Sequence, residues 1–170
     1  VFTVAHASSL PAVGVGQACS TLVGKYLGEK NINKSKQSII EGLRGSFIIM
    51  GSMGLIFIFF PSYIISFFTN DSEVIRMGVS ILPWVGLLQF VDVFAITLWF
   101  ALSGAGDTRF TALVGIIASW TIFIPLSYIL GIKLNYGLYG PWIAFAIFLV
   151  IEAIFIIFRV MQGKWKHIEV

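Results

Sequence analysis

Long apolar stretches alternate along the chain with short polar interruptions. Five stretches approach or exceed the roughly 20 mostly apolar residues that a helix needs to cross a bilayer: 1–23, 45–68, 78–102, 110–130 and 141–158. Each has a marked stop, such as Gly24-Lys25 after the first and Arg159 after the last. Barrel strands are excluded, because the runs are too long and lack polar/apolar alternation. Helices also satisfy their own backbone polar groups in lipid. The pattern predicts an all-α, polytopic membrane helix bundle, with residues 1–170 as a single membrane domain.

Composition agrees with this pattern. Hydrophobic residues make up 58% of the 170 residues and charged residues 11%, against about 25% charged in a soluble domain. A soluble fold of this size could not cover so much apolar surface, and disorder requires the opposite composition. Cys19 is the only cysteine, so no internal disulfide can form. The two histidines and this cysteine lie far apart, without zinc-ligand spacing. Gly24-Lys25 and Gly163-Lys164 lack the spacing of a phosphate-binding loop. No nucleophile–base pair is visible, so an enzyme is not expected. Neither is a cofactor, a resident metal or a nucleic-acid partner. The chain starts at Val1, inside an apolar stretch with no basic region before it. That reads as a fragment lacking its N-terminal part rather than as a signal peptide.

Charge sets the orientation. Distributed over alternate sides, the Lys and Arg residues number nine against two, with Lys25, Lys30, Lys34, Lys36 and Arg44 in one connection. The richer side is expected in the cytoplasm, with the C-terminus there too. A plasma (inner) membrane is the expected location.

Local features suggest how the helices pack and end. Ala12, Gly16, Ser20, Gly24 and Gly28 form a stripe of small residues along which another helix can approach closely. Pro61 interrupts the second stretch, and Pro11 and Pro125 sit inside spans, where proline frees carbonyls and permits bending. Pro141 is expected as a first helical residue. Residues 29–44 read as a solvated loop, with the start of the second helix as the alternative. Asn70, three before Glu73, resembles a capping box, and Asp107 is placed to cap a helix after Gly104-Ala105-Gly106.

The chemistry concentrates on two acids within spans. Asp92 lies 14 residues after Gly78 and 10 before Leu102, near the midplane. Insertion there costs about 2.5–3.5 kcal/mol, and such residues face a cavity or a partner. At 100° per residue, Gln89, Asp92, Trp99 and Ser103 share one face, a polar strip that can line a cavity. A carboxylate there can exchange a proton for Na⁺ or for a cationic substrate. Asp92 is therefore the candidate coupling and Na⁺-binding residue, and H⁺ or Na⁺ the candidate coupling ion. Glu152 shares a face with Arg159 and is expected to snorkel or pair with a neighbour. His6, among small residues, reads as a packed polar group.

Several segments together resemble a known family. Pro11-Ala-Val-Gly-Val-Gly-Gln-Ala-Cys-Ser-Thr-Leu-Val-Gly24 with Leu27-Gly28 resembles a helix of the multidrug and toxic compound extrusion (MATE) transporters. Phe68-Thr-Asn-Asp-Ser-Glu-Val74 resembles that family's F-T-x-D-x-E-V connection. Ser103-Gly-Ala-Gly-Asp-Thr-Arg109 resembles its R-G-x-G-D-T loop, with Ser103 replacing the usual arginine. Ile124-Pro-Leu-Ser-Tyr128, Gly137-Leu-Tyr-Gly-Pro-Trp-Ile-Ala144 and Arg159-Val-Met-Gln-Gly-Lys-Trp165 resemble its last two helices and tail. The resemblance implies five helices, eight to twelve, of a twelve-helix, two-lobed transporter of the NorM type. It implies exchange of Na⁺ or H⁺ for small organic cationic and aromatic substrates, with Asp92 at the acidic position of the tenth helix. The implied partners are the lipid bilayer and the remaining N-terminal part of the transporter. A lipid-linked oligosaccharide flippase would carry more cationic residues in its spans. A non-transporting membrane fragment or scaffold would not explain a midplane acid.

Overall fold

The computed structural model describes residues 2–168; of Phe2 and His167 only the backbone is described. Among them the chain is almost entirely helical, with short turns between the helices: α1 (Phe2–Gly28), α2 (Ile32–Phe59), α3 (Pro61–Phe68), α4 (Ser72–Gly104), α5 (Thr108–Ala118), α6 (Ile124–Tyr128) and α7 (Tyr139–Gln162). A single 3₁₀ turn, Lys164–His167, follows.

Among the described residues, four rods are long and apolar enough to cross a membrane: Ile32–Phe59, Ser72–Gly104, Thr108–Lys133 and Tyr139–Gln162. The segment α1 has comparable length, 27 residues, but its Gly, Ser, Gln and His residues lower its hydropathy. Half of the apolar window of α4 is buried, against 6% for the rod Thr108–Lys133. Thus α4 is the central post, α1 and α2 pack on it and on each other, α7 lies against it, and the rod Thr108–Lys133 flanks α7. The outward-facing Leu, Ile and Phe side chains suit a lipid environment rather than water.

The helix ends depart from the hydropathy boundaries. The expected loop 29–44 is mostly helix, since α2 begins at Ile32 with Asn31 as its cap, accepting from the Lys34 N–H at 3.1 Å. The reason is a buried face of small polar residues, Ser35, Ser38, Gly42 and Ser46, on α2. Ser35 Oγ donates to the Val23 carbonyl at 3.0 Å and Cys19 Sγ to the Ser38 carbonyl at 3.4 Å. Hydropathy scores such residues as polar, yet they are the usual glue of close helix pairs in membranes.

The expected second span, 45–68, is divided at Phe60, and Pro61 starts α3 at a first-turn position where its missing N–H costs nothing. Before α4 the cap is Asp71 rather than Asn70. Asp71 Oδ1 accepts from the Glu73 and Val74 N–H groups at 2.9 and 3.3 Å. Pro141 is the third residue of α7 rather than the first.

Pro125 explains the irregular rod. It has no N–H to offer, and its ring crowds the carbonyl four residues back. The helix widens just before it into a π-turn, Ser119–Phe123, with the Ile124 N–H reaching the Ser119 carbonyl. A second π-turn, Ile129–Lys133, ends the rod.

The small-residue stripe of α1 faces α4. A Cβ at Gly24 would lie 2.8 Å from the Gly104 carbonyl oxygen, so the backbones approach too closely for a side chain. A second close crossing joins α2 and α4, where Gly54 and Gly86 face one another's carbonyls.

Candidate functional site

Asp92 sits mid-way along α4, partly buried, beside a small cavity of about 140 Å³. Three helices build this cavity. His6 and Ser9 come from α1, Gln89 and Asp92 from α4, and Trp142 and Phe145 from α7. The ion pairs among the described residues, Arg44–Glu41 and Arg159–Asp107, leave Asp92 out. Asp92 therefore lines a largely apolar recess with no neutralising Lys or Arg in its wall. Such an arrangement can receive a proton, a metal cation or an organic ammonium.

Gln89 is 4% exposed. Its amide Nε2 donates to Ser8 Oγ at 2.6 Å, and Ser8 Oγ donates to the Ala5 carbonyl at 2.6 Å. The α7 wall is aromatic: Trp142 meets Phe145 edge-on at 6.2 Å, and Phe145 stacks with Phe148 at 6.2 Å. A larger apolar cavity of about 600 Å³ lies between α4 and α7. Val85, Leu88 and Trp142 line both cavities, so the recess that holds Asp92 and the wholly greasy one share a wall. At the greasy recess, Tyr139 Oη and Ser80 Oγ are hydrogen-bonded at 2.9 Å.

The polar strip on α4 divides in two. Gln89 and Asp92 line the recess; Trp99 and Ser103, at the same helical angle, do not. At 1.5 Å per residue they lie about 10 and 16 Å further along the axis. There the small residues of α1 have closed onto α4: Gly16 lies against the Phe100 ring, and Ser20 and Gly24 lie against Gly104. Trp99 packs edge-on to Phe100 at 5.2 Å, and Ser103 Oγ donates to the Trp99 carbonyl at 2.8 Å. A shared helix face is thus a cavity wall along only part of its length.

Glu152, on α7, lies within electrostatic reach of Asp92. Its Oε1 lies against Gly115 of α5. It does not pair with Arg159, whose Nε and Nη2 donate to the two Asp107 oxygens at 2.7 and 3.2 Å. The guanidinium also stacks 4.6 Å over the Phe110 ring. Asp107 occupies the N-cap position of α5, but its carboxylate makes no cap hydrogen bond. A bidentate guanidinium is the stronger partner, and it pins the end of α7 to the α4–α5 junction. Sequence reasoning missed Ser8, Trp142 and Phe145 as parts of the site. Only the packing of α1 and α7 on α4 reveals them.

A family model described as MatE matches residues 1–129. The chain belongs to the MatE family. It is 29% identical over 159 residues to a probable multidrug resistance protein NorM of Thermotoga maritima, covering 94% of this chain and 34% of that protein. It is 31% identical over 157 residues to a probable multidrug resistance protein NorM of Bacillus cereus, covering 91% and 34%. The chain thus spans about a third of the length of these relatives.

Among solved structures, the crystal structure of the eukaryotic MATE transporter AtDTX14 matches with a TM-score of 0.90 at 20% identity, over 96% of this chain and 37% of that one. The inward-facing conformation of a multidrug resistance MATE family transporter of the MOP superfamily matches with a TM-score of 0.83 at 18% identity, over 99% and 40%. These structures share the fold. MatE proteins are transporters rather than enzymes, and this chain is an integral membrane protein of NorM-like type.

Proposed function

We propose that this chain forms most of the second half of a multidrug efflux transporter, and that Asp92 couples drug export to entry of Na⁺ or H⁺. The observation that carries the reading is a carboxylate within the long apolar helix α4, in a recess shared by three helices, with no Lys or Arg in its wall. The multidrug resistance names of the NorM relatives support the substrate class. An aromatic wall beside a carboxylate suits a cationic, partly aromatic compound. Coupling follows if ion and drug favour different conformations: the ion binds at Asp92 in the outward-facing state and displaces drug, and drug rebinds once the ion has left inward. The remaining N-terminal part of the transporter supplies the rest of the substrate cavity. The excess of Lys and Arg on one side supports a cytoplasmic C-terminus, and the plasma membrane is the location that suits drug export.

The recess argues against a lipid-linked oligosaccharide flippase, since none of its lining residues is a Lys or Arg that could hold a phosphate. The test is ion-driven uptake of a cationic dye into inside-out vesicles containing the full-length transporter, where uptake corresponds to cellular efflux. Asp92→Asn is expected to lower ion-coupled efflux at least tenfold at equal protein level. Wild-type efflux by Asp92→Asn overturns the assignment.

A further inference from the structure

A groove elsewhere on the bundle shares no lining residue with the Asp92 recess. Its larger part, about 470 Å³, is bounded by α2, α4, α7 and the 3₁₀ turn after α7. A smaller part, about 360 Å³, continues along the seam of α2 and α4. Leu43 and Phe94 line both parts, so the groove is continuous and apolar along its length. Its edges are open: Ile48 is 71% and Met161 78% exposed, a surface suited to acyl chains.

The charges along this groove are all positive. Lys36 and Lys166 line the larger part and Arg44 the seam, with no Asp or Glu in either. Arg44 is paired with Glu41 at 2.8 Å, whereas Lys36 and Lys166 take part in no ion pair among the described residues. The tail is folded so as to bring the second lysine there. Gly163, at φ 69°, ends α7 in the left-handed region and turns the chain back. Trp165 is thereby buried in a cluster with Ile39 of α2 and Leu98 of α4, and its Nε1 donates to the Val160 carbonyl at 3.0 Å. Lys166 follows at once, its Nζ 5.7 Å from the centre of the Trp165 ring. Two elements far apart in the chain thus offer ammonium groups to one greasy groove.

We propose that this groove binds an anionic phospholipid, with its phosphate held by Lys36 and Lys166 and an acyl chain along the α2–α4 seam. Lysine stems can lie on apolar surface while their ammonium groups reach the headgroup layer. Both lysines belong to the side rich in Lys and Arg, where anionic headgroups concentrate and basic pockets between helices select them. A cationic compound would meet two like charges there, and a zwitterionic lipid would bring a cation of its own. A free phosphate would leave the apolar groove unfilled. The bound lipid bridges α2 and the tail, and so holds the end of α7 against α2.

The experiment is native mass spectrometry of the purified, delipidated full-length transporter, titrated with dioleoyl phosphatidylglycerol or dioleoyl phosphatidylcholine. A lysine beside an anionic headgroup contributes roughly fivefold in affinity, so two should favour phosphatidylglycerol about twentyfold. Lys36→Gln/Lys166→Gln should bring phosphatidylglycerol down to the phosphatidylcholine level, and Lys36→Arg/Lys166→Arg should keep the preference. Ile40 lines the groove one helical turn from Lys36 and is 50% exposed. Ile40→Glu sets a carboxylate there and should abolish the preference; it serves if the double variant does not fold, as judged by size exclusion. Lys133→Gln, at a lysine outside the groove, should change nothing, and millimolar glycerol phosphate should not displace the lipid. Equal binding of the two lipids by the wild type overturns the proposal, as when the N-terminal part of the transporter covers the groove. An unchanged preference in folded Lys36→Gln/Lys166→Gln or Ile40→Glu overturns it, and so does an equal loss in Lys133→Gln. Displacement by glycerol phosphate makes the groove a site for a free anion and overturns the lipid assignment.

Discussion

The α2–α4 crossing makes a quantitative prediction. Gly54 and Gly86 face each other so closely that a Cβ at Gly86 would lie 2.6 Å from the Gly54 carbonyl oxygen, 2.9 Å from Ile58 Cγ1 and 3.2 Å from Phe57 Cβ. A Cβ at Gly54 would lie 2.7 Å from the Gly86 carbonyl oxygen. Ordinary van der Waals contact begins near 3.4 Å. Gly86→Ala therefore requires the two backbones to separate by about 0.8 Å, and a gap of that size forfeits a quarter to a half of each contact around the crossing. The obstacle is backbone on both sides, so no rotamer change can relieve it. Overpacking of this kind costs about 1–3 kcal/mol. Once the helices have parted for one methyl, the second costs little. The Gly54→Ala/Gly86→Ala double variant should thus lose clearly less than the sum of the singles.

The control is Gly14→Ala on α1, where a Cβ meets nothing within 4 Å. There alanine should be neutral or slightly stabilising, through its better helix propensity. The assay is reversible unfolding of the full-length transporter in mixed micelles by titration with SDS, following tryptophan fluorescence. The same Gly→Ala change at the two sites should shift the midpoint in different ways. A Gly86→Ala variant as stable as wild type, or a double variant additive to within about 0.3 kcal/mol, would show that the crossing is not held at this distance.

Two further perturbations test other parts of the fold. The Asp107–Arg159 pair joins side chains 7% and 19% exposed; a double-mutant cycle of Asp107→Asn and Arg159→Gln should give a coupling of about 1–3 kcal/mol in the same titration, and zero coupling would refute its bidentate geometry. The cap at Asp71 should contribute about 1 kcal/mol, so Asp71→Ala should lower the unfolding midpoint and Asp71→Asn should retain most of it, whereas equal loss in both would point to charge rather than capping.

Much of the architecture was legible because the bilayer imposes a simple rule. Backbone groups must bond within their own helix, so each long apolar run is a helix. The place of Asp92 inside a long apolar helix followed from counting residues. The boundaries were less legible, since hydropathy measures transfer to lipid and the buried helix faces here contact protein. Ser35, Ser38 and Gly42 lie on such a face, which is why 29–44 read as loop. The same reason hid Ser8, whose hydroxyl lies on α1 within reach of Gln89 on α4, 81 positions away.

The sequence by itself determined the membrane class, the helical content, the candidate ion-coupling acid and, through ordered motifs, the family. Tertiary structure alone decided which polar residues act together. Helix periodicity places Gln89, Asp92, Trp99 and Ser103 on one face of α4, but only the packing of α1 and α7 on α4 shows that the first two line a recess and the other two do not. It also decided that Arg159 pairs with Asp107 instead of Glu152. A one-dimensional pattern specifies angle around a helix axis. Distance between axes is a property of pairs of helices, set here by where glycine allows contact and where larger side chains hold the helices apart.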